Sequence, residues 1–124
     1  MSVNVLVIDD SSVMRKIVIR TLRASGMSIG SVVEGASGEE GVKLLQDGYR
    51  PQLIVSDVNM GGMDGIAFVR KAREMVPPSA TRIVMITTES SADKIHMAMA
   101  AGANAYLTKP FTPEQVANSL ADLV

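Results

Sequence analysis

Short apolar runs alternate with longer helical patterns along this chain. The runs fall at 3–8, 29–33, 53–55, 83–86 and 105–107. Several are continuous rather than alternating, which suits parallel strands covered on both faces. After the first run, Met14, Ile17, Val18, Thr21 and Leu22 recur at helical spacing, with Gly26 as a stop. Ser37-Gly-Glu-Glu40 reads as a capping box before Val42, Leu44 and Leu45, closed by Gly48. Asp64 can cap a third helix carrying Ile66, Phe68 and Val69, ending near Pro77 and Pro78. Ser90 or Ser91 can start a fourth, through Ile95, Ala98 and Met99 to Gly102. Thr112-Pro-Glu-Gln115 combines a capping box with proline at the first helical position, and Val116, Leu120 and Leu123 follow as an inward face.

Five β-α units in sequence predict an α/β fold with a doubly wound, five-stranded parallel sheet. Right-handed crossovers place helices on both faces. At 124 residues, a single domain over 1–124 is expected. Hydrophobic residues make up 47% and aromatics only 3%, so the core has to be built from aliphatic side chains and methionine. A net charge of −1 gives no broad basic field and argues against nucleic acid as a partner. The absence of cysteine excludes disulfides, thiolate metal sites and a cysteine nucleophile. His96 is the only histidine, which excludes a multi-histidine metal site. No apolar run approaches the ~20 residues of a membrane span, and Asp9 and Asp10 interrupt the N-terminal apolar stretch. A cytoplasmic protein without a membrane partner is expected.

In open α/β sheets the functional crevice lies at the carboxyl ends of the strands. Asp9, Asp10, Ser11 and Ser12 follow the first strand, Asp57 and Asn59 the third, Thr87, Thr88 and Glu89 the fourth, and Lys109-Pro110 the fifth. Two unit charges 4 Å apart interact by ~4 kcal/mol at an effective dielectric of ~20. Clustered carboxylates therefore need cations, and Lys109 supplies one. An all-oxygen set with open positions suits Mg²⁺, which keeps waters and accepts a phosphate oxygen. There is no GxGxxG after the first strand and no GxxxxGK[ST] anywhere. The first loop is acidic and repels a bare phosphate, so a phosphoryl group approaches only through a metal, or one Asp is itself the nucleophile.

The ordered set Asp9-Asp10, Asp57, Thr87 and Lys109-Pro110, each ending its strand, resembles the receiver domain of two-component response regulators. The resemblance runs from Val3 to Leu123. Asn59, Glu89 and Tyr106 bring it nearest to the chemotaxis members of that family. It implies a flavodoxin-like (βα)5 fold with strand order 2-1-3-4-5 and a stand-alone receiver without an output domain. It implies that Asp57 accepts a phosphoryl group from a phosphohistidine of a sensor histidine kinase. Asp9, Asp10, Asp57 and the Asn59 carbonyl are then the Mg²⁺ ligands. Lys109 pairs with the phosphorylated Asp57, and Thr87 donates a hydrogen bond to the phosphoryl group while Tyr106 turns inward. Asn59 and Glu89 are implied to tune dephosphorylation, and the Lys109–Pro110 bond to be cis. The implied output is a switch in partner binding, at a flagellar motor switch protein, through helix 4, strand 5 and helix 5. The chain is then a monomeric phosphoacceptor that assists its own phosphotransfer and autodephosphorylation, not an enzyme acting on other substrates.

One departure stands out. The family's loop after the acceptor usually reads Met-Pro-x-Met-Asp-Gly, whereas this chain has Met60-Gly-Gly-Met-Asp-Gly65. Gly61 removes a fixed φ angle, which predicts a looser loop. Three rival functions share parts of the pattern. A phosphorelay intermediate would pass the group on to a histidine phosphotransfer protein. A metal-dependent phosphohydrolase would need a second Asp two residues after the nucleophile, where Asn59 stands. A flavodoxin-like cofactor binder conflicts with the acidic first loop. Taken singly, Asp9-Asp10 reads as a helix cap, Thr87 as strand propensity, Lys109 as a surface lysine and Tyr106 as ordinary packing. His96 reads as solvent-facing, and the methionines at 97 and 99 as helix packing or an adaptable partner face.

Overall fold

The computed structural model describes residues 2–87, 92–109 and 111–120. Ten elements alternate: β1 (Val3–Ile8), α1 (Ser12–Ala24), β2 (Ile29–Gly35), α2 (Gly38–Gln46), β3 (Leu53–Asp57), α3 (Gly65–Arg73), β4 (Arg82–Thr87), α4 (Ala92–Ala101), β5 (Ala105–Thr108) and α5 (Pro113–Leu120). The strands form one parallel sheet in the order β2-β1-β3-β4-β5. This is the order that the family resemblance implies.

The period-2 alternation of a strand divides the core into two layers. Leu6, Ile8, Ile54, Ile83 and Met85 point to one face, where Leu45 of α2, Phe68 and Val69 of α3 and Ala98 of α4 cover them. Val5, Val7, Leu53, Val55, Val84 and Ile86 point to the other, under Val18 and Leu22 of α1 and Val116 and Leu120 of α5. Register fixes the alignment: Val7 pairs with Val55, and Val55 with Val84. Both faces of the central strands are buried, which is why those segments are continuously apolar.

Capping side chains set the helix starts. Ser11, Ser37, Asp64 and Thr112 accept from the N–H groups of Met14, Glu40, Ala67 and Gln115, at 3.2, 3.1, 2.8 and 3.2 Å. Ser11, not Asp9 or Asp10, therefore caps α1, and both acidic side chains are left for other contacts. In the Ser37 box, Glu40 accepts from Ala36 N–H, one residue before the cap. The Ser90 and Ser91 start signals and Leu123 lie outside the described residues. One expected inward position is corrected: Ile17 is 42% exposed, because α1 turns only the Val18–Leu22 row inward. Of the two readings for Met99, the exposed one holds at 40% exposure, because α4 buries Ala98 alone. Among the described residues, no helix is long and apolar enough to cross a membrane.

Candidate functional site

The strand order reverses between β1 and β3, whose carboxyl ends lie side by side. Asp9 follows β1 and Asp57 ends β3. Their neighbours aim them. Ser11 N–H donates to Asp9 Oδ1 at 2.9 Å, and Asn59 N–H donates to Asp57 Oδ1 at 3.1 Å. That leaves each Oδ2 toward the centre, where Lys109 Nζ meets both, at 3.1 Å from Asp57 and 3.4 Å from Asp9. The Lys109 N–H donates to the Thr87 carbonyl at 2.7 Å, which ties the turn after β5 to the end of β4. Asp9, Asp57 and Lys109 side chains are 5, 11 and 12% exposed, so this ion pair network is largely shielded from solvent.

Burial holds the Asp9 carboxyl above its usual pKa, opposed by the Ser11 N–H and by Lys109 and reinforced by the Asp57 charge. Two carboxylates on one ammonium leave the centre of the site net negative. Thr87 is buried at the end of β4, paired in register with Thr108. Tyr106, two residues before Thr108, is 42% exposed and lines an open groove with Leu107, Gln115, Asn118 and Ser119. Glu89 and Pro110, and with Pro110 the peptide bond expected to be cis, lie outside the described residues.

The loop after β3 is tied from below and from both sides. Val58 N–H donates to the Ile86 carbonyl and Gly65 N–H to the Val58 carbonyl, both at 2.9 Å. Gly65 packs so closely under the Asp57 carbonyl that a Cβ there would overlap it. Gly61 N–H donates to Asp10 Oδ2 at 3.3 Å, and Met63 N–H to Glu39 Oε1 at 3.3 Å. Neither loop bond was legible in the sequence. A backbone N–H has no residue-type signature, and Glu39 stands in the sequence only as part of the Ser37-Gly-Glu-Glu40 capping box.

In this structure Asp9, Asp10 and Asp57 do not yet converge on one point. Among the described residues, no three carboxylate or imidazole groups are gathered closely enough to hold a metal together. Asp9 and Asp57 share Lys109, while the exposed Asp10 is engaged with the loop. The donor chemistry nonetheless fits Mg²⁺: hard carboxylate oxygens, excess negative charge and one solvent-facing ligand that leaves room for retained waters.

Comparison with known proteins identifies the family. The family described as "Response regulator receiver domain" matches residues 5–121. A chemotaxis protein CheY homolog of Campylobacter jejuni is 36% identical over 119 residues, covering 96% of this chain and 90% of the relative. CheY1 of Helicobacter pylori is 36% identical over 115 residues, covering 93 and 91%. The crystal structure of chemotaxis protein CheY4 of Vibrio cholerae superimposes with a TM-score of 0.85 at 36% identity, covering all of both chains.

Proposed function

Because this chain belongs to the response regulator receiver domain family, in which phosphorylation with Mg²⁺ is typical, we propose that Asp57 is its phosphoacceptor. The observation that carries the reading is the 3.1 Å pairing of Lys109 Nζ with Asp57 Oδ2 at the shielded end of the central strand. A carboxylate oxygen of Asp57 attacks the phosphorus of a phosphohistidine. A P–O bond forms, the P–N bond breaks, and the imidazole leaves with a proton from solvent. Lys109 stays beside the acceptor and offsets charge on the new phosphoryl group. Thr87, at the end of the neighbouring strand, donates its hydroxyl to a phosphoryl oxygen.

Asp9, Asp10 and Asp57, with the Asn59 carbonyl, would hold Mg²⁺, which would supply charge neutralisation for the incoming phosphoryl oxygens. Attack of water on phosphorus breaks its bond to the Asp57 oxygen, releases inorganic phosphate and returns Asp57 to the carboxylate, with Asn59 and Glu89 setting the rate of that step. The chain is a signalling protein and not a classical enzyme. The names of its relatives support a chemotaxis role, and the usual partners of that family make a sensor histidine kinase the donor and a flagellar motor switch protein the target. The target binds the face made by α4, β5 and α5, where Met97, Met99 and Tyr106 are exposed.

Incubation with acetyl phosphate and Mg²⁺, read by intact mass, tests the assignment. Wild type gains one phosphoryl group and Asp57→Asn gains none. An adduct of equal yield in Asp57→Asn overturns it.

A further inference from the structure

The residue that departs from the family loop is the one that touches Asp10. A proline at position 61 would have no N–H to offer. Gly61 has one, and it donates to Asp10 Oδ2 at 3.3 Å. Two residues on, Met63 N–H donates to Glu39 Oε1, and Gly62 between them holds a φ of +69°. The loop therefore has two carboxylate anchors on either side of a left-handed glycine. Among the described residues the hydrogen bond of Glu39 goes to the loop, whereas Asp10 stands beside the acidic site.

These contacts explain why the three carboxylates are not gathered. Asp9 and Asp57 are drawn together by Lys109, and Asp10 is drawn toward the loop. Resting on the Mg²⁺ reading above, we propose that the Gly61 N–H is a latch on Asp10 that competes with the metal, so that loading the site frees the front of the loop after β3. Met63 stays tied to Glu39 as the latch opens, and the chain between them pivots at Gly62. The latch makes metal affinity and loop position one equilibrium, because a state that holds Asp10 on the loop lowers the apparent affinity by its own population. It belongs to this chain's glycine and is not available to a loop carrying proline at position 61.

The substitutions that separate donor from flexibility fit sterically. A Cβ added at Gly61 meets nothing within 4 Å, and its φ lies outside the left-handed region. Gly61→Ala keeps the N–H and stiffens the backbone, while Gly61→Pro stiffens it and removes the N–H. The full chain is titrated with Mg²⁺ alone and followed by backbone amide NMR. Gly61→Pro binds about three- to tenfold more tightly than wild type, the factor expected for one net hydrogen bond. Gly61→Ala stays within about twofold of wild type, since the donor is retained. In wild type, the Gly61 amide moves upfield with the same midpoint as the Asp10 signals, while the Met63 amide does not.

Weaker binding by Gly61→Pro would show that the N–H orients Asp10 for the metal, and overturns the proposal. So does equal tightening by Ala and Pro, or a Gly61 amide that ignores Mg²⁺ while Asp10 responds. The wild-type amide readout decides the matter even if Gly61→Pro does not fold. Failure of the Mg²⁺ reading itself looks different: Asp10→Asn and wild type then give the same flat titration.

Discussion

Asp57 owes its position to a residue without a side chain. Gly65 lies under the Asp57 carbonyl, and a Cβ built on it overlaps that oxygen and comes within 2.8 Å of the Val58 Cα. Both neighbours are backbone of the strand end, so neither can swing away. Gly65→Ala is expected to cost about 1–3 kcal/mol, the usual penalty of overpacking a close contact, and to lower the phosphorylation yield. Urea melts with intact-mass measurement at saturating donor check both; a stable variant with full yield refutes the account. At this scale the sequence is most legible where an ionisable residue ends an apolar run. Asp9, Asp57 and Lys109 stand out for that reason, and the structure joins the three. It is least legible where backbone donors do the binding, as at Gly61 and Met63, or where a periodic residue lies one step off the buried row, as Ile17 does.

Helix starts are readable because a cap is a local event, a side-chain oxygen meeting an N–H two or three residues on. Contacts between elements have no such local sign. Arg73 reads as an ordinary basic residue in the last turn of α3. In the fold its guanidinium donates to the Gly102 carbonyl after α4 and to the Thr81 carbonyl before β4, both at 2.8 Å, and to Asn104 Oδ1 before β5 at 2.7 Å. Asn104 Oδ1 also accepts from Ile83 N–H of β4. One side chain thus joins α3, α4, β4 and β5 at the end of the sheet opposite the acidic site. Lysine cannot reproduce the planar fork. Arg73→Lys is expected to lose about 2–4 kcal/mol, because several carbonyls lose their donor at once; chemical denaturation checks it.

A second link joins α1 to β2. Glu34 accepts from Arg15 Nε at 2.9 Å and Lys16 Nζ at 2.7 Å, and Lys16 first, then Arg15, hold its carboxyl below the ordinary value. A depressed folded-state pKa adds stability above the unfolded pKa, ~4.3 for Glu, and that increment is lost as pH falls through the folded value. Glu34→Gln should therefore be less stable than wild type at neutral pH, by under about 1 kcal/mol given its solvent contact. The gap should close in acid. Parallel thermal melts across that range read the difference, and a gap that widens toward low pH contradicts the link.

On the scale of the whole molecule, the proposed phosphorylation of Asp57 needs a path from a shielded site to an exposed face. The central strands are fixed on both faces by packed aliphatic side chains, and packed cores deform in steps. The side toward β5 is different. Tyr106 is 42% exposed beside an open groove, Met97 and Met99 face solvent on α4, and Lys109 N–H links the turn after β5 to the Thr87 carbonyl. In the proposed switch, a phosphoryl group on Asp57 would add acceptor oxygens beside Lys109 and draw the Thr87 hydroxyl toward them. Movement at Thr87 would pass to β5 through its register with Thr108, and Tyr106 lies two residues along that strand. The exposed face would then have two arrangements, biased by a local charge at a site it does not touch. Tyr106→Trp places one indole in a chain with no other tryptophan, so its emission reports on this face alone. The emission should shift on adding acetyl phosphate and Mg²⁺, and stay unchanged when Asp57→Asn is added. In a Thr87→Ala background Asp57 should still gain its phosphoryl mass while most of the fluorescence response is lost. A full response without the Thr87 hydroxyl would mean that the signal reaches Tyr106 by another path. No response in the parent, with the phosphoryl mass present, would remove Tyr106 from the switch altogether.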